Sequence, residues 1–187
     1  MITSLFPSII IISFFVLFFG MKCLKNSISK LYYFYWIIFG VYISGLIGIT
    51  LFPFPYQDYL IQTMIEDNLG STHNFIPLGE IREIIEFGYM PIVLKQLVGN
   101  ILLFVPLGFS LPILFTKLNL KSTILICFLV SLTIECIQLV SSIFIRYNYR
   151  AFDVDDLLLN VLGSIIGFFV FKLAFKFLNN NELIKSS

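Results

Sequence analysis

Glu135 stands inside an otherwise apolar run, about ten residues or roughly 15 Å of helix from the nearer end of that run. A carboxylate at such depth in a bilayer costs on the order of 2.5 to 3.5 kcal/mol to insert, so it is expected to face other helices, find partners or take up a proton. Its neighbours provide a face. Ser131, Glu135, Gln138 and Ser142 recur at i, i+4, i+7 and i+11, one stripe of a helix. Asp156, Asn160, Gly163 and Gly167 repeat the arrangement further along, and Gln96 and Asn100 do so in an earlier run. The intervening Arg146-Tyr147-Asn148-Tyr149-Arg150-Ala151-Phe152-Asp153-Val154-Asp155-Asp156 brings two arginines and three aspartates together. Arginine suits bidentate contact with phosphate or carboxylate. The aspartates would hold it, coordinate a divalent cation, or cap a helix N-terminus. For Asp155 and Asp156 cap and site are equally open, and Arg150 is the better site candidate. His73 has no partner at metal or triad spacing, and no Gly-rich phosphate loop, GxSxG elbow, HExxH or zinc signature occurs, so no cofactor and no metal are expected.

The elements that must carry these groups are membrane spans. Of 187 residues 58% are hydrophobic and 12% charged, a composition whose solvent is lipid. A helix needs roughly 20 apolar residues to cross the hydrocarbon core, and five runs qualify, at about 5–21, 31–53, 92–115, 122–145 and 157–177. The expected fold is an all-α integral membrane protein, a bundle of five transmembrane helices in one domain over 1–187, with no soluble domain between or beyond them. The first run lacks a basic flank before it and a small-residue cleavage site after it, so it reads as a retained anchor. A net charge of +1 without a basic cluster excludes nucleic acid as a partner. Cys23, Cys127 and Cys136 suggest no disulfide framework and read as packing residues.

Charge placement orients the bundle. Lys22, Lys25, Lys30, Lys117, Lys121, Lys172, Lys176 and Lys185 fall on one side, against Arg82, Lys95, Arg146 and Arg150 on the other, which also takes nine of the eleven acidic residues. The positive-inside rule puts the N-terminus outside and the C-terminus in the cytoplasm. In the long outer connection, about 54–91, Leu60, Ile61, Met64 and Ile65 and then Ile81, Ile84 and Ile85 have helical spacing, which fits short helices on the membrane surface or a merely ordered loop. Within the spans, Gly163 and Gly167 form a GxxxG for close helix approach, and Gly40, Ser44 and Gly48 form a small-residue packing seam. Pro106 should bend the third span and release backbone carbonyls. Asn100, Gln138, Asn160 and Asp156 share the outer half of the membrane with Glu135 deepest, so a polar pocket open to the outer leaflet is expected. The alternative is a hydrogen-bond network that sets helix register.

The chain resembles the VanZ-like family of small bacterial membrane proteins, named for a protein linked to teicoplanin resistance. The resemblance rests on Asn74-Phe75-Ile76-Pro77-Leu78, on Asn100-Ile101-Leu102-Leu103-Phe104-Val105-Pro106-Leu107-Gly108, on Ser131-Leu132-Thr133-Ile134-Glu135-Cys136-Ile137-Gln138, and on Asp153-Val154-Asp155-Asp156 leading to Asn160 and Gly163. It implies a multi-pass protein of the bacterial cell membrane, associated in some members with low-level resistance to lipid-tailed glycopeptides. The family's motif positions fall on Asn100, Glu135, Gln138, Asp155, Asp156 and Asn160.

The leading expectation is a non-enzymatic envelope protein whose partners are membrane lipids and a lipid-linked wall precursor or lipoglycopeptide. Asn100, Glu135, Gln138, Arg150, Asp155, Asp156 and Asn160 would form its ligand site. Three other readings are a lipid-acting enzyme with Glu135 as general base, a proton-coupled lipid transporter, and an accessory subunit without a ligand. The first of these lacks a convincing nucleophile, and the second lacks clear inverted repeats.

Overall fold

A computed structural model describes residues 1–87 and 90–180 of the chain. Among them the helices are α1 (Leu5–Leu24), α2 (Lys30–Leu51), α3 (Asp58–Glu66), α4 (Gly79–Phe87), α5 (Met90–Leu114), α6 (Leu120–Ile145) and α7 (Val154–Asn180). Among the described residues five segments are long and apolar enough to cross a membrane: Leu5–Leu24, Lys30–Leu51, Leu94–Leu114, Leu120–Ile145 and Val154–Phe175. They correspond to the five expected runs. Lys185, counted in the C-terminal basic group, lies outside the described residues.

The last helix starts earlier than its apolar run because Asp153 caps it. The Asp153 carboxylate accepts the Asp155 N–H at 2.7 Å, satisfying one of the donors that a helix start leaves open. Asp155 and Asp156 therefore stand in the first turn of α7. At their own starts α2 and α6 use Ser29 Oγ, accepting from Tyr32 N–H at 3.2 Å, and Asn119 Oδ1, accepting from Ser122 N–H at 2.9 Å.

Side chains are distributed as lipid demands. Phe6, Leu17, Leu129, Phe144 and Leu173 are exposed on the outside, while Ser131, Glu135, Gln138, Ser142 and Asn160 are buried. With lipid outside, apolar exposure carries no cost, and the bundle is held by close packing and buried polar bonds. The expected α6 stripe is thus its buried face.

Glycine sets the closest contact. A Cβ added at Gly163 would lie 2.1 Å from Ile101 O, one at Gly167 2.1 Å from Val105 O, and one at Gly108 2.0 Å from Ser164 O, so α5 and α7 touch backbone to backbone. Gly40 and Gly48 of α2 make room for side chains instead, a Cβ there lying 2.6 Å from the Phe15 ring and 3.1 Å from Ser4 Cβ. The α1–α2 contact is completed by Phe19 stacked on Trp36 at 4.0 Å. A small core of Leu46, Phe104, Leu107, Leu111, Cys127 and Ile134 joins α2, α5 and α6.

Helix α5 runs on through Pro106 and Pro112. Proline withdraws a donor from the helix ladder, and α2 contributes hydroxyl donors along this stretch, Tyr42 to Leu103 O at 2.8 Å and Tyr32 to Ile113 O at 2.9 Å. The two short helices expected in the long connection are α3 and α4. Ile2 pairs with Phe54 through backbone bonds of 2.9 and 3.0 Å, so the N-terminus and this connection share one end of the bundle, called here the loop end.

Candidate functional site

The start of α7 is clasped from both sides. From the long connection, Asn74 forms a short parallel bridge with Asp153: its N–H donates to Phe152 O at 2.9 Å, and its carbonyl accepts from Val154 N–H at 3.1 Å. The Asn74 amide then donates to Asp153 Oδ1 at 2.8 Å and Asp155 Oδ2 at 3.2 Å. Asp155 is buried and also accepts the N–H groups of Leu78 and of Ile81, so it serves the N-terminus of α4, where a carboxylate is favoured by the helix dipole. Those bonds hold Leu78 at φ 65°, a left-handed conformation that a bulky residue adopts only under constraint. His73 Nδ1 accepts from Phe152 N–H at 2.9 Å, so this histidine is part of the clasp.

From the bundle side comes Glu135, 2% exposed, whose Oε2 accepts the Asp153 N–H at 2.9 Å. Arg150 straps the other flank. Its Nη2 donates to Ile49 O at 3.0 Å and Phe52 O at 3.1 Å, carbonyls that the end of α2 leaves unpaired, while its own carbonyl accepts from Ser142 Oγ at 2.8 Å. Burial pushes the Tyr149 phenol above its usual range, partly offset by Ser141 and Arg150, so it stays a neutral hydroxyl facing Leu51 O.

Between clasp and strap opens a cavity of about 410 Å³ at the loop end, walled by Gln96, Gln138, Arg150, Asp153 and Asp156, with Ala151 and Tyr149 beside them and Ser71 and Thr72 above. A second space of about 470 Å³ adjoins it between α2 and α5, a largely apolar groove along Ile49, Lys95, Gln96, Gly99, Asn100 and Leu103. Gln96 is common to both. Asn100 links them as well, lining the groove and donating to Asp156 Oδ1 in the cavity. A polar chamber that shares a lining residue with an apolar groove suits a molecule with a polar head and a chain.

Residues 39–175 match the family model for VanZ/LLP1. The chain belongs to this family. It is also similar to Protein VanZ of Enterococcus faecium, 25% identical over 146 residues that cover 78% of each chain. No solved structure matches. With five spans, this VanZ/LLP1 chain is a multi-pass bacterial membrane protein. The matched segment contains every residue of the clasp, the strap and the cavity wall, and leaves out α1.

The expected site residues of this VanZ/LLP1 chain separate into two groups. Gln138, Arg150 and Asp156 face the cavity together, with Asn100 at its junction with the groove. Glu135, Asp155 and Asn160 stand behind the wall. Glu135 holds Asp153 from beneath, Asp155 holds the long connection, and the Asn160 amide donates to Ser131 Oγ at 2.8 Å. Glu135 was expected in a recess open to the outer face; it is not among the residues that line this cavity and accepts the Asp153 N–H, in the position of a residue that orients others. Of the three acids at the start of α7, Asp153 and Asp156 face the cavity and Asp155 is a cap. Arg146 does not join Arg150. It closes α6 in a left-handed conformation at φ 55° and lines a separate hollow of about 350 Å³ with Asn68 and Tyr147.

Asp153, Gln96, Ser71, Thr72 and Tyr149 were absent from the expected set. Asp153 had a signal, since Asp two residues before an acid at the head of an apolar run is the N-cap pattern. Ser71 and Thr72 had none, because only docking of the long connection through Asn74 brings them over the cavity.

Proposed function

We propose that this VanZ/LLP1 protein is a non-enzymatic envelope protein that takes the polar head of an amphiphile, a lipid-linked wall precursor or a lipoglycopeptide, from the outer leaflet. By sequestering or shielding such a molecule it would contribute to resistance of the teicoplanin type. The basic residues Lys22, Lys25, Lys30, Lys117 and Lys121 near the opposite end support a loop end that faces outside. The observation that carries the reading is that one residue, Gln96, lines both the polar cavity and a largely apolar groove on the flank of the bundle. Cavities that bind small molecules are mostly apolar with a few placed polar groups, and the joined spaces divide those two qualities between head and chain.

A bulky residue at Ala151, which lines the cavity without joining its hydrogen-bond network, tests this directly. In native mass spectrometry of detergent-purified protein, Ala151→Trp is expected to lower retention of co-purified amphiphile at least about tenfold. It should insert in the membrane as well as the wild type does. Undiminished retention in the filled variant would remove the cavity from consideration.

A further inference from the structure

The cavity wall is unbalanced between donors and acceptors. Gln138 is 7% exposed, and its Nε2 donates to Thr50 O at 2.9 Å. A carbonyl partner requires the NH₂ end of the amide there, which assigns Oε1 to the other side. That oxygen is buried and has no hydrogen-bond partner among the described residues, on a side chain that lines the cavity. A buried acceptor left unmade costs about 1 to 3 kcal/mol, so a donor supplied by a ligand would be well rewarded.

Two carboxylates share the wall. Asp156 Oδ1 accepts from Asn100, and Asp153 Oδ1 accepts from Asn74 at 2.8 Å and from Asp155 N–H at 2.7 Å. The second oxygen of each accepts no hydrogen bond from the described residues. Against these three acceptors the cavity lining has one cation, Arg150, whose Nη2 is already committed to the α2 carbonyls; Lys95 stands in the neighbouring groove, and Gln96, Ser71 and Thr72 are neutral groups that accept as well as donate. A phosphate would bring more lone pairs to a wall that already has too many. An ammonium brings three N–H donors and no acceptor, matching one amide oxygen and two carboxylates.

Resting on the reading that this cavity takes the head of an amphiphile, we propose that the group of the head it receives is a primary ammonium rather than a phosphate or a neutral sugar. The unpaired Gln138 Oε1 and the carboxylates of Asp153 and Asp156 receive it, and the attached chain lies in the groove along Ile49, Gly99 and Leu103. Arg150 keeps the wall in place from α2. An aminophospholipid and an amine-bearing lipopeptide both present this group.

Dodecylamine, dodecyl phosphate and dodecyl maltoside share one chain and differ only in the head, so competition among them on the full-length protein in a polyoxyethylene detergent isolates the head. Native mass spectrometry is expected to show dodecylamine bound at least about tenfold more tightly than the other two. The preference should be lost in Gln138→Leu, a change that leaves net charge untouched and so separates a fitted site from general attraction of a cation. If that variant does not fold, the wild-type competition decides alone. Equal or tighter binding of the phosphate or the maltoside overturns the ammonium assignment and leaves head-group binding standing; failure of all three to bind overturns both. Phosphatidylethanolamine against its N-acetylated form, run beside an amine-bearing lipopeptide with and without acetylation, then separates the two sources. Loss on acetylation is expected for whichever binds, and indifference to acetylation in both arms would overturn the assignment.

Discussion

Gly163→Ala is expected to destabilise the protein by about 2 to 3 kcal/mol, whereas Gly45→Ala should change stability by less than about 0.5 kcal/mol. Both substitutions add the same methyl group in a helix interior. At Gly163 it would lie 2.1 Å from Ile101 O, a backbone atom that cannot rotate away, so α5 and α7 must move apart. At Gly45 nothing lies within 4 Å. Separation would reach the site as well, since Asp156 on α7 bonds Asn100 on α5. Thermal unfolding in detergent, followed by intrinsic fluorescence, compares the two variants. Equal melting temperatures would mean that the close α5–α7 approach is not what holds the bundle.

Glu135→Ala comes next in size. It strips the buried Asp153 N–H of its acceptor at 2.9 Å and leaves a hole below the start of α7, for an expected loss of about 2 to 3 kcal/mol. Glu135→Gln retains a side-chain oxygen for the same N–H and is expected to cost less than about 1 kcal/mol. Because Asp153 also receives Asn74, the alanine variant should loosen the long connection, seen as faster protease cleavage around residues 70–80. The glutamine variant should stay resistant and keep its bound amphiphile. A proton-transfer or general-base role would produce the opposite pattern, with both variants folded and both inactive; a glutamine variant as unstable as the alanine one would remove the orienting role.

How far each part could be read in advance depended on whether its signal was local. The five spans and the buried face of α6 follow from residue spacing within single runs, as does the Gly163–Gly167 contact, and all are found in the fold. The short helices in the long connection were weaker because nine-residue patterns barely exceed two turns. The site was legible only in part. Periodicity put Gln138, Asn100 and Asp156 on inward faces, and they are found lining the cavity or the groove. It could not distinguish a side chain that faces the cavity from one a single layer behind, since both lie on the same helical stripe; that is why Glu135 and Gln138 looked alike. The deciding information is tertiary. Asn74 and His73 reach the start of α7 from far along the chain, and only that docking shows which of the three aspartates holds the long connection and which line the cavity.

The most direct measurement is photo-cross-linking of the intact protein in membranes with an amphiphile that carries its reactive group at the head, followed by mapping of the labelled peptides. Label on Thr72, Gln96 and Ala151 at the loop end, lost when unlabelled amphiphile competes, is the predicted result. Label confined to lipid-facing positions such as Phe144 and Leu173, and unaffected by competitor, would contradict a head-group site in the cavity.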